Sequence, residues 1–159
     1  MSQSLFKNEV DITPEWLFYI ENESISLSQR DEFAIQNYMD REVFNPEMRG
    51  FLSKPDVLTV LDEELEMELM SLNLKEDLMK LSLPDWIRPR YRKLKRKIKR
   101  VFCEVVTALE DLDTKAIIKA VILALIPLFA TGLPAAVLPI LIGLMAYLWK
   151  YGISKACPV

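Results

Sequence analysis

Nine bases fall within thirteen positions: Arg88, Arg90, Arg92, Lys93, Lys95, Arg96, Lys97, Lys99 and Arg100, with no acid among them. The chemistry open to such a cluster is electrostatic. Guanidinium and ammonium groups attract phosphate, and a basic cluster beside a membrane segment binds anionic lipid at roughly 1 kcal/mol per base near the surface. Nucleic acid would be attracted by the same charge, but no groove-reading motif accompanies it, so anionic lipid is the expected partner. A cluster that only holds this end of the chain on the cytoplasmic side would leave the same signature.

Other reactive groups are scarce. The chain contains no histidine, which removes the commonest general base and the commonest metal ligand. No glycine-rich phosphate loop and no Cys or His metal spacing occurs. Glu63, Glu64, Glu66 and Glu68 read as a solvated helix face. We therefore expect no enzyme, no cofactor and no metal. Two cysteines, Cys103 and Cys157, argue against a disulfide framework and suit a reducing compartment. Both flank the apolar segment, where lipidation is conceivable, but no special role is expected of them. Cys157 is followed by Pro158 and Val159, one residue short of a prenylation box.

The elements that would position the bases are helical throughout, so the fold class is all-α. Thr13-Pro14-Glu15 supplies an N-cap, a first-turn proline and a first-turn acid for a short helix carrying Trp16, Leu17 and Ile20. Ser28 with Asp31 resembles a capping box for a second helix, whose apolar residues are Phe33, Ala34, Tyr38, Met39 and Val43. Gly50 to Ser53 reads as a turn. A third helix over 55–72 has the stripe Leu58, Leu61, Leu65, Leu69 and Leu72 beneath an acidic surface, and 75–83 adds a short one. The basic cluster opens a fourth, long amphipathic helix over 85–113, with Ile87, Tyr91, Leu94, Ile98, Val101, Val105, Leu109 and Leu112 at near-heptad spacing. No convincing strand is visible.

Residues 120–149 then run for thirty positions without a charge. A run this long exceeds one ordinary span, and Thr131-Gly132-Leu133-Pro134 breaks it. The expectation is a hydrophobic transmembrane or re-entrant hairpin over 114–155, with helices over 114–130 and 134–154 and a short tail over 156–159. Ala116, Ala120 and Ala124 recur every four residues and would pack against Gly143 and Ala146. Pro127 and Pro139 would kink the two helices. Lys115, Lys119, Lys150 and Lys155 lie at one end, together with Tyr147, Trp149 and Tyr151. The positive-inside rule and the aromatic belt then place both ends of the hairpin in the cytoplasm. Lys119, one turn into the apolar segment, would snorkel to that interface. A soluble core is disfavoured, because about 100 other residues could hardly surround two such helices in a small domain. The N-terminus has no apolar core of signal-peptide length, so no cleaved export signal is expected.

Charge is segregated behind a net of −3: residues 1–87 carry 19 acids and seven bases. An acidic cytoplasmic domain over 1–84 could therefore mask the basic helix, with the 55–72 helix as the antiparallel partner. This layout resembles the membrane-disrupting effectors of bacterial defence and toxin systems, a likeness of arrangement without a diagnostic motif. The expected function is a non-enzymatic membrane protein acting through insertion or oligomerisation of its hairpin, as a homo-oligomer if it forms a pore. The alternatives are a membrane-anchored adaptor or small subunit with a protein partner, and a helical regulator whose hairpin is core.

Overall fold

The computed structural model describes residues 4–41, 46, 48, 52, 87–109, 113–129 and 132–157. The helix expected over 55–72, the short one over 75–83 and the final residues 158–159 lie outside them. Of the described residues, 84% are helical, so the all-α expectation holds.

The first helix, α1 (Pro14–Ser28), begins as its cap dictates: the Thr13 hydroxyl accepts from the Trp16 amide at 3.3 Å. Its inward residues Ile20, Ser24 and Leu27 are spaced by four and three, one stripe of a helix. The next helix, α2 (Glu32–Asp40), is capped by Asp31, whose carboxylate accepts from the Ala34 amide at 2.8 Å. Ser28 is not its cap. Ser28 ends α1 and donates its hydroxyl back to the Ile25 carbonyl at 2.6 Å. With the start moved to Asp31, the buried residues of α2 become Ile35 and Met39, and Phe33 is left 75% exposed.

The basic helix, α3 (Ile87–Ala108), spans 22 residues, or about 33 Å at 1.5 Å per residue. Tyr91, Leu94 and Ile98 are buried as expected, but the stripe then passes to Phe102 and Val106, while Val101 and Val105 are half-covered. A straight α-helix drifts about 20° per heptad against a strict 3.5-residue repeat, so steps of four follow the core where a heptad would leave it.

Asp113 caps α4 (Thr114–Leu125), accepting from the Ala116 amide at 2.8 Å. This helix is shorter than expected. Pro127 does not kink it; the chain tightens into a 3₁₀ turn over Ile126–Leu128 and is extended by Phe129. A proline has no amide hydrogen to continue the ladder. A second 3₁₀ turn over Ala135–Val137 leads into α5 (Leu138–Tyr151). Pro139 sits in the first turn of α5, where its missing donor costs nothing, so it starts the helix instead of bending it. Gly152, at φ +82°, closes α5 before the four-residue α6 (Ile153–Ala156). With 12 and 14 residues, α4 and α5 reach only about 18 and 21 Å. Among the described residues, no helix is long and apolar enough to cross a membrane.

The two apolar helices do not close on each other as a packed hairpin. The main partners of α4 are α3 and α1, and those of α5 are α1 and α2, with α3 and α6 beside it. Helix α1 therefore touches both halves of the apolar run. Gly143 faces α2, not a small-residue seam: a Cβ built there would lie 2.2 Å from Met39 Cγ and 2.4 Å from its Sδ. A short strand pair, absent from the sequence expectation, holds the turn between α4 and α5. Strand β1 (Ser4–Phe6) pairs antiparallel with β2 (Leu133–Pro134). Gly132 permits this approach, at φ +94° and with a Cβ position 2.7 Å from the Phe6 carbonyl oxygen.

One apolar cluster results, running from Phe6 through α1, α2 and α3 to α5. From Ile140 to Ala146 every residue of α5 is buried. A modest domain does surround such a helix, because only α5 is enclosed; α4 keeps Ile117, Ala120, Leu123 and Ala124 half-covered.

The close approach at Gly143 yields a prediction. Small-to-large changes in a packed core cost about 1–3 kcal/mol, against about 1 kcal/mol gained in helix propensity on replacing glycine by alanine. Gly143→Ala should therefore lower stability by about 1 kcal/mol net, and Gly143→Leu should lower it further by lifting α2 from α5. Urea unfolding measures both, and unchanged midpoints would show that α2 does not close on this face.

Candidate functional site

The nine bases do not act as one surface. Four of them, Arg92, Arg96, Lys99 and Arg100, are exposed. Offsets of four, seven and eight residues put these four on one outward face, because residues three or four apart are neighbours on a helix. Lys93, Lys95 and Lys97 are half-buried and Arg90 is 7% exposed. Arg88 belongs to the backbone of α3, but its side chain lies outside the described residues. Among the described side chains, the exposed bases thus form a four-base stripe. The cause is the helical turn itself: the inner face must present Tyr91, Leu94, Ile98 and Phe102 to the core, and consecutive bases cannot all point away from it.

Of the inner bases, Lys95 ties α3 to α2. Lys95 Nζ lies 2.6 Å from the Asp40 carboxylate and donates to Gln36 Oε1 at 3.2 Å. The Tyr91 hydroxyl donates to the Met39 carbonyl. Together these contacts join α3 to α2. Among the described residues, no ion pair engages Arg92, Arg96, Lys99 or Arg100.

The bases near the apolar run are likewise met by the N-terminal part of the chain. Lys119 Nζ is 3.0 Å from Glu9, so it is paired instead of being left to snorkel. Lys155 lies 3.9 Å from Glu32, and Lys150 donates to the Arg30 carbonyl. Lys115 lies 5.7 Å from the ring centroid of Phe18. Acids from the first forty residues thus meet bases from the second half, as the charge segregation anticipated. The partner envisaged there, the acidic 55–72 helix, lies outside the described residues.

The residues expected to build a membrane hairpin are distributed differently. Gly132, Pro134 and Gly143 are buried, whereas Ala120, Ala124 and Pro139 are half-buried. Pro127 is exposed and Trp149 is 44% exposed. The two glycines therefore serve contacts with β1 and α2, and α4 packs mainly on α3 and α1, so the expected seam between the two apolar helices is not formed.

A disulfide joins Cys103 of α3 to Cys157 after α6, with Cα atoms 5.6 Å apart. This overturns the expectation of two cysteines without a role. The signal available in the sequence was positional: the two cysteines bracket the apolar run, so any compact return of the chain brings its two ends together. Closing a loop of 54 residues stabilises the fold by about 4 kcal/mol in the chain-entropy description. The contact of β1 with the turn gave no sequence signal, because Ser4–Phe6 is too short for a readable alternation.

Among the described residues, the four outward bases make no ion pair with the rest of the fold. Replacing Arg92, Arg96, Lys99 and Arg100 together by Gln should change unfolding stability by less than about 0.5 kcal/mol per site, measured in urea at moderate salt. A larger loss would mean that these side chains hold the fold and do not form a free surface. No family model, no curated protein and no solved structure matches the chain, so any function is argued from these residues alone.

Proposed function

We propose that the protein is a non-enzymatic, membrane-acting helical protein. It docks on anionic lipid through Arg92, Arg96, Lys99 and Arg100, and keeps its apolar run folded beneath its N-terminal helices until it docks. The observation that carries this reading is the two-sidedness of α3. Its outer face presents four exposed bases that no described residue pairs with, and its inner face holds Tyr91, Leu94, Ile98, Phe102 and Val106 against the cluster that contains α5. A pull on the outer face by a charged surface is thereby applied to the helix that packs on the apolar run.

Support for storage beneath the N-terminal helices comes from what covers the run. Helix α1 packs on both α4 and α5, α2 packs on α5, and β1 holds the turn. Each accompanying ion pair is solvent-exposed on at least one side, and such pairs contribute only about 0–1 kcal/mol each. These pairs orient the cover without locking it. Displacement of α1 and α2 would transfer the run from protein contacts to lipid, with both of its ends on the docked side.

A second reading is favoured by the complete enclosure of Ile140 to Ala146. There the run is a permanent core, and the protein is a helical regulator or adaptor whose basic stripe meets an anionic partner. The two readings separate on lipid vesicles. Intact protein should float with vesicles containing phosphatidylserine and not with neutral ones. The fourfold Gln variant should bind them roughly a thousandfold more weakly, at about 1 kcal/mol per base, and added salt should weaken the wild type similarly. Release of an entrapped dye by bound protein supports insertion; binding without release favours the permanent core. Equal binding to neutral vesicles, or no loss in the variant, would overturn docking through the stripe.

A further inference from the structure

We propose that Cys103 and Cys157 form a thiol–disulfide exchange site that fastens or frees the C-terminal end of the apolar run. The bond joins residues 54 apart, and the loop it closes contains α4, β2, α5 and α6. All of residues 120–149 therefore lie inside one covalent ring, whose clasp is a helix carrying the docking stripe. These are the only two cysteines in the chain, so intramolecular exchange has a single product.

The surroundings of Cys103 favour a reactive sulfur. Lys99 and Arg100 precede it by four and three residues, on the same side of α3, and both are exposed. Lys155 precedes Cys157 by two residues and is also exposed. Positive neighbours stabilise a thiolate over a thiol, and partial exposure gives an incoming reagent access. Glu104, next to Cys103, is the one acid adjoining it in sequence, and it points into solvent. Cys103 is half-buried, whereas Cys157 is only 8% exposed, so the Cys103 sulfur is the one an external thiolate reaches first.

The step balances with a low-molecular-weight disulfide such as oxidised glutathione as the oxidant. The Cys103 thiolate attacks it, forming a mixed disulfide and releasing one glutathione thiolate. The Cys157 thiolate then attacks the Cys103 sulfur, forming the internal bond and expelling the second glutathione. Two protein thiols lose two electrons and two protons; one glutathione disulfide becomes two glutathiones. Reduction runs the same steps backwards, beginning at Cys103.

Opening the bond matters because it is the one covalent tie of this end to α3, where α6 otherwise rests on packing with α5 and α3 and on Lys155 over the Tyr151 ring at 4.0 Å. Helix α6 has four residues and buries Ala156, and its Lys155–Glu32 pair is long at 3.9 Å and exposed on both sides. The reduced chain should release residues 152–157 from α3 and leave the last turn of α5 without its cover. The exchange site stands on its own geometry; only its effect on membranes rests on the docking reading.

The test uses the full chain equilibrated across glutathione redox buffers. Trapping with a maleimide and mass analysis should show a two-thiol to disulfide transition without covalent dimers. Hydrogen exchange at residues 152–157 should quicken on the order of tenfold in the reduced form, as a locally opened segment does, and Cys157→Ser under oxidising conditions should reproduce it. Full alkylation of both cysteines in the most oxidising buffer would overturn the proposal, as would identical exchange in the two redox forms of the wild type. Faster dye release by the reduced protein extends the control to membranes. A redox transition with the expected exchange change but no vesicle activity in either form supports the site and counts against the membrane reading alone.

Discussion

An uncharged helix must be enclosed on every side, and most of this structure follows from supplying that enclosure to α5. Between Leu138 and Trp149 no residue is charged, and a helix apolar all round has no face to offer water. Fully burying one Leu or Ile is worth about 1.5–3 kcal/mol, so leaving several of them exposed would outweigh the few kcal/mol by which a domain is stable. Helices α1, α2 and α3 therefore converge on it from distant parts of the sequence. Gly143 exists in this setting as the gap that admits Met39. The N-terminal strand covers the turn at Gly132, where the Phe6 carbonyl approaches and the buried Phe6 ring meets Trp16 of α1.

Charge distributes itself around that core in two ways. Bases of the second half that approach the N-terminal segment find carboxylates there, as at Lys95–Asp40, Lys119–Glu9 and Lys155–Glu32. Bases on the outward face of α3 meet none among the described residues. Surface pairs contribute little stability individually, but together they give the N-terminal helices a preferred orientation on the second half. Among the described residues this outward stripe carries one sign of charge, and a stripe of like charge on a rigid helix raises the local concentration of an anionic partner.

Caps, fold class and the strongest apolar positions were legible in the sequence because they depend on near neighbours. Thr13 caps the helix expected of it, and Tyr91, Leu94 and Ile98 face inward as spaced. What was not legible depends on contacts distant in sequence. Pro127 and Pro139 fit kinks as well as helix ends, and whether a proline bends a helix or ends it depends on what the flanking residues can pack against. The spacing of Gly143 suits a seam with the alanines of α4, but its partner is Met39, more than a hundred residues away. Phe33 fits a helical stripe on either side of α2, and only the position of the Asp31 cap decides which side is core. The disulfide has the same cause: two cysteines bracketing a run can pair only where the run returns to α3, which local spacing does not decide.

The dimensions of the folded run constrain what it could do in lipid. A bilayer core of about 30 Å needs about 20 helical residues, whereas α4 and α5 have 12 and 14. Extending either helix into the intervening turn meets Pro127, Pro134 and Pro139, each of which lacks the amide needed to propagate a helix past it. Extension at the other ends meets Asp113 and Gly152, a cap and a left-handed glycine. The turn is uncharged and cheap to bury, but its extended stretch exposes backbone groups that hydrocarbon cannot satisfy. These limits favour a shallow, re-entrant seat in one leaflet over a full crossing. In such a seat Trp149 and the bases Lys150 and Lys155 would stay at headgroup level, beside the α3 stripe proposed to dock there.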